Sequence, residues 1–164
     1  MAYDAYMELT TCLWFNGQAR EAANFYTSIF PESSVADNWI APTDTPGNKQ
    51  GEEIVFNFKI FGQNFIGLNG GPQFPHSEAI SFQIPCADQD EINKYWTLLT
   101  ADGGTESQCG WLKDKFGISW QVTSPVMGQF LGGSDGEGAQ RATQAMLGMK
   151  KIDLAAMEKA YLGK

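Results

Sequence analysis

Gln18-Ala-Arg-Glu-Ala-Ala-Asn-Phe-Tyr-Thr-Ser-Ile-Phe30 is the stretch from which the rest of the chain can be ordered. Ala22, Phe25, Tyr26 and Ile29 fall at i, i+3, i+4 and i+7, the spacing that puts four apolar side chains on one helical face. Pro31 stops that helix. The same face recurs at Ile92, Tyr95, Trp96 and Leu99, each seventy residues after its counterpart. Asp88 and Glu91 stand there like a capping box, and Asp102-Gly103-Gly104 ends the second helix.

Each helix follows an extended segment at that same offset, residues 9–15 and residues 79–85. After each helix come three further strand-like runs: residues 35–40, 53–61 and 64–69 in the first half, residues 105–109, 110–114 and 118–123 in the second. Phe61-Gly62 and Phe116-Gly117 are matching turns before the last strand of each half. The chain therefore reads as α+β, two strand–helix–three-strand modules over residues 1–72 and 77–124, joined by a turn-rich linker. A helical tail occupies residues 125–164, with Ala142, Ala145, Met146 and Met149 at helical spacing and Asp153 placed to cap a last helix. One structural domain overall is expected at this size. The halves differ mainly at residues 41–51, where Pro, Gly, Asn and Asp signal a long surface hairpin loop.

Composition narrows the function. With 43% hydrophobic residues and 11 Phe, 5 Trp and 5 Tyr, the chain can bury a core without disulfides or metals. A net charge of -8 argues against nucleic acid or anionic lipid as partner, since both attract clustered Lys and Arg. Three cysteines, Cys12, Cys86 and Cys109, show no CxxC spacing and suit reduced, buried thiols in a cytoplasmic protein. No run approaches the roughly 20 apolar residues needed to span a bilayer, and the first residues carry no basic leader, so neither secretion nor membrane insertion is expected.

Alternation along strands separates a helix-covered face from an open one. Ile80, Phe82 and Ile84, like Ile118, Trp120 and Val122, belong under the helices. Thr11, Asn57, Ser81, Gln83, Ser119 and Gln121 then fall on the other face, with Asn69 at its edge. These neutral hydrogen-bonding groups suit a solvent-washed surface, or a small-molecule cleft if the sheet curves. On the same alternation Cys12, Trp14 and Trp120 should face the helices, while Trp111 is open to a cleft or dimer contact.

Other motifs add little chemistry. His76 is the sole histidine, so a Ser-His or Cys-His pair would need it to reach from the linker. Glu52, Glu53, Glu106 and Asp114 lie near strand ends and could act as bases if burial raised their pKa. Residues 132–138 are glycine-rich but lack the lysine and spacing of a phosphate loop.

Leu13-Trp-Phe-Asn-Gly-Gln-Ala19, Glu21-Ala-Ala-Asn-Phe-Tyr26, Gly67-Leu-Asn-Gly-Gly-Pro72, Trp111-Leu-Lys-Asp-Lys-Phe-Gly-Ile-Ser-Trp-Gln121 and Ala145-Met-Leu-Gly-Met-Lys-Lys-Ile-Asp-Leu154 together resemble PhnB-like proteins of the vicinal-oxygen-chelate (glyoxalase, bleomycin-resistance and extradiol-dioxygenase) superfamily. The resemblance implies paired βαβββ modules forming a U-shaped mixed sheet, and a homodimer. It also implies a divalent metal held by His and Glu, but the matching positions carry Thr11, Gly67 or Asn69, Ala79 or Ser81, and Gln121. Such neutral groups are poor ligands for transition metals. Some relatives bear a 3-demethylubiquinone 3-methyltransferase label, yet the chain lacks the glycine-rich strand–helix turn of a doubly wound cofactor fold. The expectation is a binder of a small molecule through Thr11, Asn57, Asn69, Ser81, Gln83, Trp111, Ser119 and Gln121, with no metal and no cofactor. The alternative is a small-metabolite enzyme of lyase, isomerase or transferase type that uses a cleft carboxylate or an unconventional metal site.

Overall fold

A computed structural model describes residues 9–164 and divides the chain into two compact units, residues 1–75 and 76–164. Residues 1–8, on which the expected absence of a leader and the start of the first module fall, lie outside the described residues. The first unit runs β1 (Thr11–Phe15), α1 (Ala19–Ile29), β2 (Ser34–Ile40), β3 (Glu53–Ile60) and β4 (Gln63–Asn69). Its sheet has the order β1-β4-β3-β2, with β1 parallel to β4 and the other pairs antiparallel. The second unit repeats the plan with β5 (Phe82–Pro85), α2 (Gln89–Thr100), β6 (Thr105–Glu106), β7 (Trp111–Lys113) and β8 (Ser119–Thr123), in the order β5-β8-β7-β6. Three more helices follow in that unit, α3 (Met127–Leu131), α4 (Gly136–Leu147) and α5 (Leu154–Tyr161). The α+β, paired-module reading of the sequence holds, and so does its helical tail.

The expected face of α2 is buried at all four positions, whereas on α1 Phe25 and Ile29 are half-buried. Ala22 and Tyr26 are fully covered, as are Ile92 and Leu99, and Tyr95 and Trp96 are nearly so. Asp88 caps α2 by accepting from the Glu91 backbone N–H at 2.9 Å. Glu91 returns a bond to the Ala87 N–H, one residue before the cap. Asp153 accepts from the Ala156 N–H and starts α5 as expected, whereas Met149 lies beyond the end of α4.

The strands of the second half are shorter than the pattern suggests. Residues 78–80 turn and leave Ile80 75% exposed, so Ile80 is not part of the core. Only Thr105–Glu106 of the 105–109 run pairs as a strand. The chain then turns through Cys109 (φ 57) and Gly110 (φ 84), left-handed backbone that no strand can use.

The first half needs a larger correction. Leu13 and Phe15 are the buried members of β1, so Thr11, which shares their parity, lies on the helix side with them. Gly67, opposite Leu13, confirms the direction, because a Cβ there would stand 3.1 Å from the Ala19 side chain of α1. Cys12 is exposed instead of packed under the helix, and Trp14 lies on the open face. There the Trp14 indole covers Gly70, donates to the Gly71 carbonyl at 2.7 Å and meets Phe74 edge-on. Trp120, in contrast, is buried on the helix side as read from the sequence.

Candidate functional site

The open face of the second sheet gathers most of the polar residues expected at a site. Residues paired across neighbouring strands share a face. Gln83 lies opposite Gln121, Gln121 opposite Trp111, Ser119 opposite Lys113, and Lys113 opposite Thr105. Ser81 precedes β5, and its hydroxyl accepts from Gln121 Nε2 at 2.8 Å. Thus Ser81, Gln83, Trp111, Ser119 and Gln121 stand together, while Trp120, Val122, Leu112 and Ile84 fill the side against α2.

Thr11, Asn57 and Asn69 belong to the first unit and do not share one face. Asn57 is on the open side, where Nδ2 donates to the Asp37 carbonyl at 2.9 Å and ties β3 to β2. Asn69 is buried on the helix side with both ends of its amide in use. Its Oδ1 accepts from the Ala19 N–H at 2.9 Å, capping α1, and its Nδ2 donates to the Glu53 carbonyl. The rest of the first open face is mixed, with Trp14, Val55, Ile66, Leu68 and the 62% exposed Trp39 on one part and Lys59, opposite Asn64 and Ser34, at its end.

Each unit holds a cavity. In the first, about 700 Å³ is lined by Asn16, Arg20, Asn48, Glu52, Glu53 and Asn69, under residues 40–51. Its polar groups satisfy one another. Arg20 pairs with Glu53, Asn38 donates to Glu53 at 2.8 Å, and Asn48 donates to the Asn69 carbonyl at 2.5 Å. In the second unit about 720 Å³ is bounded by Glu78, Thr105 to Cys109, Trp111, Lys113 and Ser119. Lys113 and Glu78 form an ion pair at 2.6 Å, and Glu106 accepts from Trp96 Nε1 at 2.8 Å and from Lys150 at 3.4 Å. Ser119 differs from all of these: it is 2% exposed, yet its hydroxyl finds no hydrogen-bond partner among the described residues. Leaving such a group unpaired costs about 1–3 kcal/mol, and a bound molecule could recover it. Lys113, Glu78 and Thr105 were not singled out from sequence. Lys113 carried a signal, since it has the parity of Trp111.

Two of the candidate carboxylates, Glu53 and Glu106, are tuned away from base catalysis. Arg20 and Asn38 hold Glu53 below the usual carboxylate range, and the Trp96 indole, with Lys150, does the same for Glu106. Asp114, 3% exposed, accepts from the Phe116 and Ile118 backbone N–H groups and from Trp120 Nε1 at 2.8 Å, which makes it the fastener of the β7–β8 turn. Cys86 is buried, and desolvation followed by the nearby Glu91 charge pushes its thiol up to about 11, the opposite of a reactive thiolate.

The sequence model of a family described as 3-demethylubiquinone-9 3-methyltransferase matches residues 7–123. A PhnB protein from Bacillus cereus, provisionally assigned that activity, is 32% identical with a TM-score of 0.64, covering 72% of this chain and 99% of its own. The chain belongs to this PhnB-like family. A Pseudomonas aeruginosa protein shares the fold at 17% identity and a TM-score of 0.56, covering 72% of this chain and 97% of that one. No curated protein matches the chain.

The family description implies S-adenosylmethionine, and the resemblance read from the sequence implies a divalent metal. Neither fits these residues. At the helix starts, Asn69 takes the Ala19 N–H of α1 and Asp88 the Glu91 N–H of α2. The sheets are not doubly wound, and the PhnB-like positions that would hold a metal carry Thr11, Gly67 or Asn69, Ala79 or Ser81, and Gln121. Among the described residues no three His, Cys, Asp or Glu side chains converge as a ligand set.

Proposed function

We propose that this PhnB-like protein captures a small organic molecule on the open face of its second sheet, through Trp111, Ser119 and the neighbouring Gln121, Ser81 and Gln83, without the chelating site of metal-dependent relatives. The observation that carries this reading is the Ser119 hydroxyl, buried and unpaired among the described residues, in the lining of a cavity of about 720 Å³. That volume lies within the ~300–1,000 Å³ usual for small-molecule sites. Charges at the rim occur as two ion pairs, Glu78 with Lys113 and Glu106 with Lys150, which favours a neutral ligand with a flat ring for Trp111 and a polar group for Ser119. The lowered Glu53 and Glu106 weigh against an enzyme driven by a cleft base. Thr11 and Asn69 drop from the ligand set in this reading, because they face α1.

The protein is further proposed to act as a cytoplasmic homodimer, which three free thiols and the superfamily resemblance support. No described helix is long and apolar enough to cross a membrane.

Thermal-shift screening with neutral ring compounds tests the site. Ser119→Ala and Trp111→Ala are expected to abolish the stabilisation given by any hit, while Asn57→Ala leaves it intact. A hit whose effect survives both changes places the site elsewhere. Elemental analysis of protein purified without chelator tests the rest: a stoichiometric metal whose removal abolishes ligand capture would sink the metal-free reading.

A further inference from the structure

The family's matched region ends at residue 123, but the chain continues through α3, α4 and α5. Part of that continuation grips the cavity wall. The Cys109 N–H donates to the Met149 carbonyl and the Gly110 N–H to the Lys150 carbonyl, both at 2.7 Å. Ile152, wholly buried, sits over Gly110, where a Cβ would lie 3.1 Å from Ile152 Cγ1 and 2.7 Å from the Val122 carbonyl. The tail is clasped in turn by Gln89, the first residue of α2. Its Nε2 donates to the Ile152 carbonyl and its Oε1 accepts from the Leu154 N–H, each at 2.9 Å. Lys150 also reaches Glu106 at 3.4 Å. Ser107, Gln108, Cys109 and Glu106 are themselves cavity lining.

We propose that residues 149–154 form a strap that fixes the cavity wall at residues 106–110, so that ligand selectivity in this chain depends on a segment beyond the matched residues 7–123. Left-handed backbone at Cys109 and Gly110 gives the wall one conformation only while two donated bonds hold it. Released from the strap, the turn can move away from Trp111 and widen the site. This inference rests on the cavity being the ligand site, and the test separates the two.

Full-length protein labelled with 5-fluorotryptophan is titrated with 2-naphthol and with phenol, a larger and a smaller neutral ring. Trp111→Phe assigns the Trp111 resonance. The expected result is that Gln89→Leu and the surface change Lys150→Met shift that resonance and alter the ratio of the two affinities at least threefold, while Lys150→Arg restores the ratio. General destabilisation would weaken both ligands alike and leave the ratio unchanged. If Trp111→Ala weakens binding tenfold but both strap variants keep the ratio within twofold, the strap inference is overturned and the ligand site stands. If the wild-type protein binds neither ring, or Trp111→Ala has no effect, the ligand site falls. The strap is then judged without ligand: an unmoved Trp111 resonance in both strap variants overturns it, and a shifted one upholds it as a holder of the wall.

Discussion

The two halves bury their helices alike and their first strands in opposite phase. Ala22 and Tyr26 of α1 correspond at seventy residues to Ile92 and Trp96 of α2, and all four are covered. The same shift takes buried Leu13 to exposed Gln83 and buried Phe15 to exposed Pro85. The strand-to-helix connections are equal in length but not in handedness. Gly17 is left-handed (φ 82) in the first, whereas residues 86–88 contain no positive φ. One left-handed residue turns the strand over relative to the helix without an insertion. The helix period thus carries the duplication faithfully, and the strand period does not.

The largest expected effect exploits a fastener that only the second half has. Asp114→Ala strands three donors, the Phe116 and Ile118 N–H groups and the Trp120 indole, and should cost roughly 3 kcal/mol in denaturant unfolding. The β3–β4 turn, with Phe61 and Gly62 left-handed, is held by a backbone bond from the Gly62 N–H to the Glu32 carbonyl at 2.9 Å and takes only a 3.4 Å side-chain bond, from the Phe61 N–H to Ser33, so Ser33→Ala should cost far less and serves as the matched control. Equal losses at the two turns would break the contrast.

Next come the caps. Asn69→Ala should cost about 1–2 kcal/mol and Asp88→Ala about 1 kcal/mol, the first being larger because Asn69 is buried and also serves Glu53. Stability that is unchanged in Asn69→Ala, with ligand capture lost instead, would return Asn69 to the binding site.

Thiol labelling checks the phase directly. Cys12 is exposed and should react with iodoacetamide near pH 8 at least ten times faster than buried Cys86, as followed by peptide mass spectrometry. The reverse order would put β1 back in the phase read from the sequence. Cys86 also has a folded pKa raised from 9.0 to about 11, so its contribution is full below pH 9 and is lost as the pH rises toward 11.

Acid should produce the smallest difference. Glu53 and Glu106 have folded pKa values below their ordinary 4.5, so each contributes above that value and the contribution is lost as pH falls through the lower folded value. Added salt should shrink the Glu53 effect, which rests first on Arg20, more than the Glu106 effect, which rests first on the neutral Trp96 indole. Melting curves of Glu53→Gln and Glu106→Gln from pH 3 to 7 at low and high salt read this out.

These contrasts mark where the sequence was legible. Helices and module order were, because amphipathic spacing and the Asp88 and Asp153 caps are local signals. The second open face was legible too, since Ser119 and Gln121 alternate cleanly with Trp120 and Val122. The first was not: β1 has five residues, apolar at four of them, and its phase hangs on Gly17, whose Asn-Gly context hinted at a turn without giving its effect on the strand. The cavity wall was equally hidden, because it is held by carbonyls of Met149 and Lys150, and backbone groups leave no residue-type signature.

The 3.1 Å approach between a Cβ at position 67 and Ala19 has a meaning for mutational libraries. Helix α1 rides on β4 through two of the smallest residues, so the tolerance of either position is conditional on the other. Gly67→Ala, costly alone, should become nearly neutral with Ala19→Gly in place apart from the helix propensity lost at the first turn. In a pairwise scan of the first unit, these two sites should stand out as strongly epistatic although they lie nearly fifty residues apart in the chain.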